Sequence, residues 1–318
     1  MDTKILKANP DGFAIASEIL KSGGLVAFPT ETVYGLGADA FNTKAVAKIY
    51  SAKKRPNFNP LIVHVIDLET AQKFVYLDAD ALLLANNFWP GPLTIVAPIR
   101  AGSNLSELIT AGLDTIAIRV PAHPVARKLL EIFNGPVAAP SANPSGSISP
   151  TNASQVKNGL NGRIHAILNG GKCNVGLEST IILSQNGECH LLRSGGIPEK
   201  NIEEILGYKL LSNKHPISPI SPGQLSSHYA PNAKLRMNAQ SASEDEYMIG
   251  FGHIIGQLNL SSKGDLTEAA SNLFSYLHMA DEDTLTLGKT KIAVAPIPMN
   301  GLGIAINDRL KRASSPQD

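Results

Sequence analysis

The sequence predicts a mixed α/β (α+β) fold, a large sheet with flanking helices, followed by a second, smaller α/β domain. Three observations lead there. Short apolar runs alternate with stretches of helical spacing, yet several apolar runs follow one another with no helix between them, which argues against a regular doubly wound sheet. A proline-rich stretch interrupts the chain after residue 207, and strand and helix patterns resume beyond it. The 318 residues, 43% hydrophobic, suffice for two cores. The predicted division is 1–207, a linker or lid over 208–231, and 232–318.

Taken in order, residues 13–21 place Phe13, Ile15, Ala16, Ile19 and Leu20 on a helical stripe that Gly23 and Gly24 stop. Residues 25–28 read as a buried strand ended by Pro29. Thr30, Glu31 and Thr32 follow, and Gly35 and Gly37 permit a turn or a close approach to a ligand. Residues 43–51 are helical and run into Lys53, Lys54 and Arg55, stopped by Pro56. Residues 61–65 form a second apolar strand that carries His64. Helices are predicted over 78–88, 124–132 (with proline in the first turn) and 198–206. Strands are predicted over 93–97, 115–120, 137–139, 164–168, 180–183 and 189–193. The 208–231 segment, with Pro216, Pro219, Pro222 and Pro231, is too long and proline-rich for an ordinary connection, and it ends in SSHYAP. Strands over 247–251 and 291–295 and helices over 267–279 and 303–312 complete the chain. The last helix has a basic final turn that suits its dipole.

A net charge of +1 gives no global bias toward nucleic acid or anionic membrane, so any anion site must be local. Cys173 and Cys189 form no CxxC, which argues against a disulfide framework or a zinc site and for two free thiols in a reducing cytosol. The first residues lack the apolar core of a signal peptide, and no run approaches the roughly 18 apolar residues of a membrane span. The expectation is a soluble, cytoplasmic protein.

The chemistry-bearing residues each have two readings. Lys53-Lys54-Arg55 is a solvated basic loop or, with Asn59 and His64 close behind it, a triphosphate site in which Arg presents a fork and Lys a mobile charge. Residues 141–149, rich in small hydroxyl side chains after a strand, are a surface loop or a phosphate and ribose cradle; GxxxxGK[ST] is absent. Ser179 has no nucleophile elbow around it, so it is a binding hydroxyl or a structural cap. Arg119, inside an apolar strand, needs an anionic partner, either an internal carboxylate or one from a substrate. Arg193 is a third cation at a strand end. These residues alone point to a nucleoside triphosphate beside a small carboxylate, and do not give the reaction.

Eight stretches together resemble the YrdC-like family, in particular its two-domain threonylcarbamoyl-AMP synthases. They are PTETVYGLG (29–37), the K-x-R element Lys53 to Arg55, NPLIVHV (59–65), AIRVP (117–121), APSANPSG (139–146), GLESTI (176–181), LLRSGG (191–196) and SPGQLSSHYAP (221–231). The ending GLGIAINDRLKRAS (301–314) resembles the end of the family's small appended domain. The resemblance implies a twisted mixed sheet forming a concave basic cleft and a small Rossmann-like C-terminal domain. It also implies a nucleotidyltransferase reaction, in which L-threonine, bicarbonate and ATP give threonylcarbamoyl-AMP, pyrophosphate and water. That product serves tRNA modification beside the anticodon through a separate transferase.

Carried onto this sequence, the resemblance assigns Thr32, His64, Arg119, Ser179 and the backbone at Ala139 to threonine. It assigns Lys53, Arg55, Asn59, Ser141, Ser149, Arg193, the backbone near Thr115, and Tyr229 at the tip of the lid to ATP. Mg2+ would arrive with ATP, with no protein side chain as its ligand, and no acid–base pair is required. Two rival readings are a carbamoyl-transfer module, which would carry zinc-finger cysteines absent here, and an RNA-binding module, which needs a basic face. A local concave basic surface leaves room for a weak direct tRNA contact.

Overall fold

The computed structural model describes residues 2–56, 59–185, 187–212 and 228–315. Helix starts are set by polar caps. Asn9, Asn42, Asp78, Asn152 and Asp265 each accept a bond from the backbone N–H three residues on, satisfying a donor that the first helical turn leaves open. The helices that follow are Pro10–Lys21, Thr43–Lys53, Ala79–Phe88, Ala153–Leu160 and Leu266–Thr286. His123 plays the same part for Pro124–Phe133, its Nδ1 accepting from the Val125 N–H.

Eleven strands form one mixed sheet. Their order is Lys4–Lys7, Ala166–Asn169, Val26–Pro29, Tyr34–Asp39, Val137–Ala138, Ile62–His64, Thr115–Arg119, Leu93–Pro98, Thr180–Gln185, Glu188–Arg193 and Leu211–Ser212. Parallel and antiparallel pairs both occur, as the uneven spacing of helices required. One face packs on helices Thr43–Lys53, Ala79–Phe88, Ala153–Leu160 and Glu199–Leu206 through Leu36, Ile49, Val63, Leu84 and Ile202. The other packs on Pro10–Lys21 and Pro124–Phe133 through Phe28, Leu20 and Leu129. The Leu211–Ser212 strand carries the sheet past residue 207. The lid reading of 208–231 falls largely outside the described residues.

The glycines of PTETVYGLG do not make a turn. They lie inside the strand Tyr34–Asp39, antiparallel to Val26–Pro29, and the reversal is made at residues 30–33 instead. A Cβ on Gly37 would lie 2.8 Å from the Phe28 ring and 2.9 Å from a Val137 methyl. Glycine is there for packing across the sheet, which periodicity cannot distinguish from a turn signal.

A second sheet is all parallel, in the order Lys234–Arg236, Lys291–Val294, Glu246–Gly250 and Leu258–Asn259. Helices Leu266–Thr286 and Leu302–Ala313 accompany it. Its core takes in Val33, Ile148 and Leu177 from the larger unit, so the two units share apolar packing. Among the described residues, no helix is long and apolar enough to cross a membrane.

The units are in close contact at Gly176, where φ is +73° and a Cβ would lie 2.6 Å from the Ala270 carbonyl oxygen and 2.6 Å from Ser271 Cα. Gly207, at φ +77°, has nothing within 4 Å of the same position. Gly207→Ala is expected to lose about 1 kcal/mol from backbone strain alone. Gly176→Ala should lose that and a further 1–3 kcal/mol, on the order of an overpacked core. Urea denaturation of both variants checks this, and equal losses would show that the units have room to move apart.

Candidate active site

The sheet brings the site residues to one rim, formed by the ends of its central strands. His64 and Arg119 are direct partners at the ends of parallel strands, and Val137 pairs with His64 on its other side. Gly35 bridges to Ser141. Around this rim lies a cavity of about 50 Å³. Its wall includes Thr32, Arg55, His64, Arg119, Ala139, Ser141, Ser179, Arg193 and Tyr229, nine residues expected from the sequence to bind ligand. Those nine come from eight separate stretches of chain, so the cavity exists only when the sheet is assembled.

Four expected residues are not on that wall. Lys53 is fully buried and gives its ammonium to the carbonyls of Ser141 and Asn143, so it holds the 141–143 loop from behind. Burial first, and then Arg55, lowers its pKa well below the usual lysine value. Asn59 is buried with its side-chain amide unpartnered among the described residues, while its carbonyl accepts from Arg55 Nε at 3.2 Å. Ser149 donates to Glu178 at 2.6 Å. Thr115 starts the strand that Arg119 ends, roughly 13 Å away at the usual rise. Lys54 is exposed, in the left-handed conformation that closes the Thr43–Lys53 helix.

The arginines differ in what neutralises them. Arg119 pairs with Glu31 through Nη2 and donates Nη1 to Thr32 Oγ1 at 2.9 Å, so the internal carboxylate is present. Burial alone would raise the Glu31 pKa, but Arg119 overcomes it and the carboxyl is held below its ordinary value. Glu31 also accepts from the N–H groups of Ala122 and His123. Arg55 is different: its donors go to the carbonyls of Asn59 and Pro60, and no carboxylate bonds it among the described residues. Burial lowers its pKa to about 10, so it stays charged at neutral pH. Arg193 donates Nη2 to the Ser179 carbonyl at 2.9 Å and to Ser179 Oγ at 3.2 Å, and Ser179 Oγ also meets Thr94 Oγ1 at 2.7 Å. Ser179 is thus oriented from both sides.

Glu178, His228 and Arg309 were not assigned from the sequence. Glu178 and His228 are on the cavity wall. Glu178 accepts from Arg309 Nε at 3.0 Å, and Arg309 and Arg193 hold its pKa down against burial. His228 is neutral, its pKa well below the ordinary value through burial and then the neighbouring cations. Its ring lies 4.0 Å from that of Tyr229.

Burial also lowers the His64 pKa to about 3, with Arg119 adding to the effect. The unfolded chain therefore takes up this proton near pH 6.5 while the folded chain does not until about pH 3. Stability should fall as pH drops from 6.5, with a slope approaching about 1.4 kcal/mol per pH unit. Removing the titrating ring with His64→Gln should reduce the slope by about that amount in urea denaturation at pH 7, 6 and 5, the other buried histidines supplying the rest; an unchanged slope would mean that the ring is wet.

Known proteins resemble this chain over nearly its whole length. A family model described as "Telomere recombination" matches residues 18–195. A second, "Threonylcarbamoyl-AMP synthase, C-terminal domain", matches 197–315. The threonylcarbamoyl-AMP synthase of Bacillus subtilis is 40% identical over 98% of this chain and 95% of its own length. That of Pyrococcus abyssi is 38% identical over 94% and 93%. The crystal structure of P. abyssi Sua5 complexed with L-threonine superposes with a TM-score of 0.88 at 35% identity, covering 99% of this chain and 98% of that one. With matches to both units of the chain, and a cavity walled by the residues that the sequence motifs supply, the chain belongs to the threonylcarbamoyl-AMP synthase family.

Proposed function

We propose that this chain is a nucleotidyltransferase that makes L-threonylcarbamoyl-AMP from L-threonine, bicarbonate and ATP, with release of pyrophosphate and water. One observation carries the reading: Arg55, Arg119 and Arg193, from three separate segments, meet at one cavity beside a neutral His64, with Arg119 bonded to Glu31 and the donors of Arg55 on carbonyl oxygens. The threonine amine captures CO2, and the resulting N-carboxylate attacks the α-phosphorus of ATP. Positioning and charge neutralisation supply most of the rate.

In this reading Thr32, His64, Arg119, Ala139 and Ser179 hold threonine. Arg119, already neutralised by Glu31, orients a substrate carboxylate more than it balances its charge. Arg55, Ser141, Arg193 and Tyr229 hold the nucleotide. Lys53 acts at one remove, fixing the loop of Ser141. Ser149 acts through Glu178. Asn59, buried behind Arg55, and Thr115, at the far end of the Arg119 strand, stand away from the cavity and are left out of this assignment. A magnesium ion on the triphosphate would offset the charge of the departing pyrophosphate. The one carboxylate on the cavity wall among the described residues, Glu178, is taken by Arg309 and Ser149, which suits a metal ligated by phosphate rather than protein.

A cavity of 50 Å³ is small for both substrates, and His228 and Tyr229 form part of its wall. We take residues 208–231 as a lid between domains 1–207 and 232–318, opening at Tyr229 to admit ATP and closing to keep water from a hydrolysable mixed anhydride. The product passes to a separate tRNA-modifying transferase in the cytoplasm.

The test is formation of the AMP adduct and pyrophosphate from ATP and bicarbonate, with and without L-threonine. Adduct that requires L-threonine supports the reading. Pyrophosphate release indifferent to L-threonine would replace it with a plain nucleotide hydrolase.

A further inference from the structure

We propose that Arg309, on the last helix of the smaller unit, is a positioning residue of the nucleotide site, so that the smaller unit completes that site; the proposal rests on the ATP side of the reading above. Arg309 has no exposed surface. Taking a guanidinium out of water is unfavourable by several kcal/mol unless it is well paired, so a fully buried one has a partner that the fold must supply. Here the partner is across the unit boundary. Nε donates to Glu178 at 3.0 Å, and Glu178 is on the cavity wall. Nη1 donates to Asp308 at 2.8 Å, and Nη2 has no partner among the described residues.

The same guanidinium lies 5.5 Å from the centre of the Tyr229 ring, a cation–π distance. Phe274, on the other helix of the smaller unit, is 5.3 Å from that ring at 31°. Tyr229 is in turn buried, with φ at +63°, a conformation unfavourable for a side chain with a Cβ and kept only where surroundings impose it. The surroundings are identifiable. The Ala230 N–H is bonded to the Gly146 carbonyl at 2.8 Å, the His228 N–H to the Arg312 carbonyl at 3.3 Å, and the ring meets Phe274 and Arg309. Arg309 is therefore where two parts of the nucleotide wall meet, the Glu178–Ser149 pair and the Tyr229 ring. Its loss should slacken both without touching the threonine side, where Arg119 is held by Glu31 and Thr32.

A plain salt bridge between units would show the same contacts, so the experiment separates the two. In the full chain, Mg-ATP and L-threonine affinities are measured by titration calorimetry for wild type, Arg309→Lys and the charge-matched pair Glu178→Gln/Arg309→Gln. The pair removes both buried charges and keeps amides able to bond each other. Loss of the Glu178 charge beside the phosphates would by itself tighten ATP binding, so weakening comes from Arg309. The expected result is ATP binding at least tenfold weaker in the pair and threefold or more in Arg309→Lys, with L-threonine within twofold of wild type throughout. ATP affinity within twofold of wild type in a folded pair, or in Arg309→Lys if the pair does not fold, overturns the proposal. So does equal weakening for both ligands. A wild type that binds ATP but forms no adduct defeats the synthase reading and leaves the Arg309 comparison to be read on its own.

Discussion

Arg55→Ala is expected to lower pyrophosphate release by a factor of 100 or more. Arg55 sits on the cavity wall with its donors on neutral carbonyl oxygens, so its fork is oriented while its charge is left for a ligand. A preorganised cation facing charge that develops in the transition state is commonly worth 10²–10³ in rate. The structural loss is smaller. Two carbonyls lose a donor, on the order of 1 kcal/mol each, so the variant should still fold. Arg55→Lys keeps the charge but not the fork and should recover part of the rate. A folded Arg55→Ala variant with turnover within threefold of wild type would remove Arg55 from the site.

Arg119→Ala should act most strongly on stability. It strands Glu31 with its charge intact and its surroundings dry, a change that typically loses about 3–5 kcal/mol. The pH dependence gives the sign. In wild type the Glu31 pKa is held down, so the pair stabilises the fold above about pH 4.5 and is lost as pH falls through the depressed value. In the variant the unpaired carboxyl prefers its proton, so the penalty is largest at neutral pH and shrinks toward pH 4. Denaturation of both proteins at pH 7 and pH 4.5 measures the difference, and a penalty independent of pH would mean that Glu31 finds another cation. In the variant's activity, the L-threonine requirement should rise more than the ATP requirement. Equal rises would contradict placing Arg119 on the threonine side.

The strands and helices were legible where burial is continuous. Ile62–His64, Leu93–Pro98 and Thr115–Arg119 are short apolar runs on the inside of a sheet, and their composition leaves little else for them to be. Tyr34–Asp39 was not legible, because Gly37 makes room for Phe28 and Val137 from strands on either side and Gly35 lies on the cavity wall, reasons that lie outside the local sequence. Within the site, side chains that face the cavity from strand ends were found: His64, Arg119, Ser179 and Arg193. Lys53 was read as a phosphate contact because a cation in a motif gives no sign of where its tip goes; here it goes to two carbonyls. Glu31 and Glu178 were passed over for a related reason, since a single carboxylate in a hydroxyl-rich stretch announces no partner. Arg309 did leave a signal. It recurs at four-residue spacing with Ala305 and Ala313, and it falls beside Ile306 and Leu310 on the buried stripe of its helix. It was read instead as part of a basic last turn, which Lys311 and Arg312 account for.

Gly176 gives these arrangements a mechanical reading. With no side chain at that point, the main chain of one unit rests directly on the main chain of the helix Leu266–Thr286, and two residues further along the strand entry lie Glu178 and then Ser179. A joint between backbones has no rotamers to absorb displacement. The helix of the appended unit and the cavity wall are therefore joined through main chain, with Glu178 two residues from the point of contact.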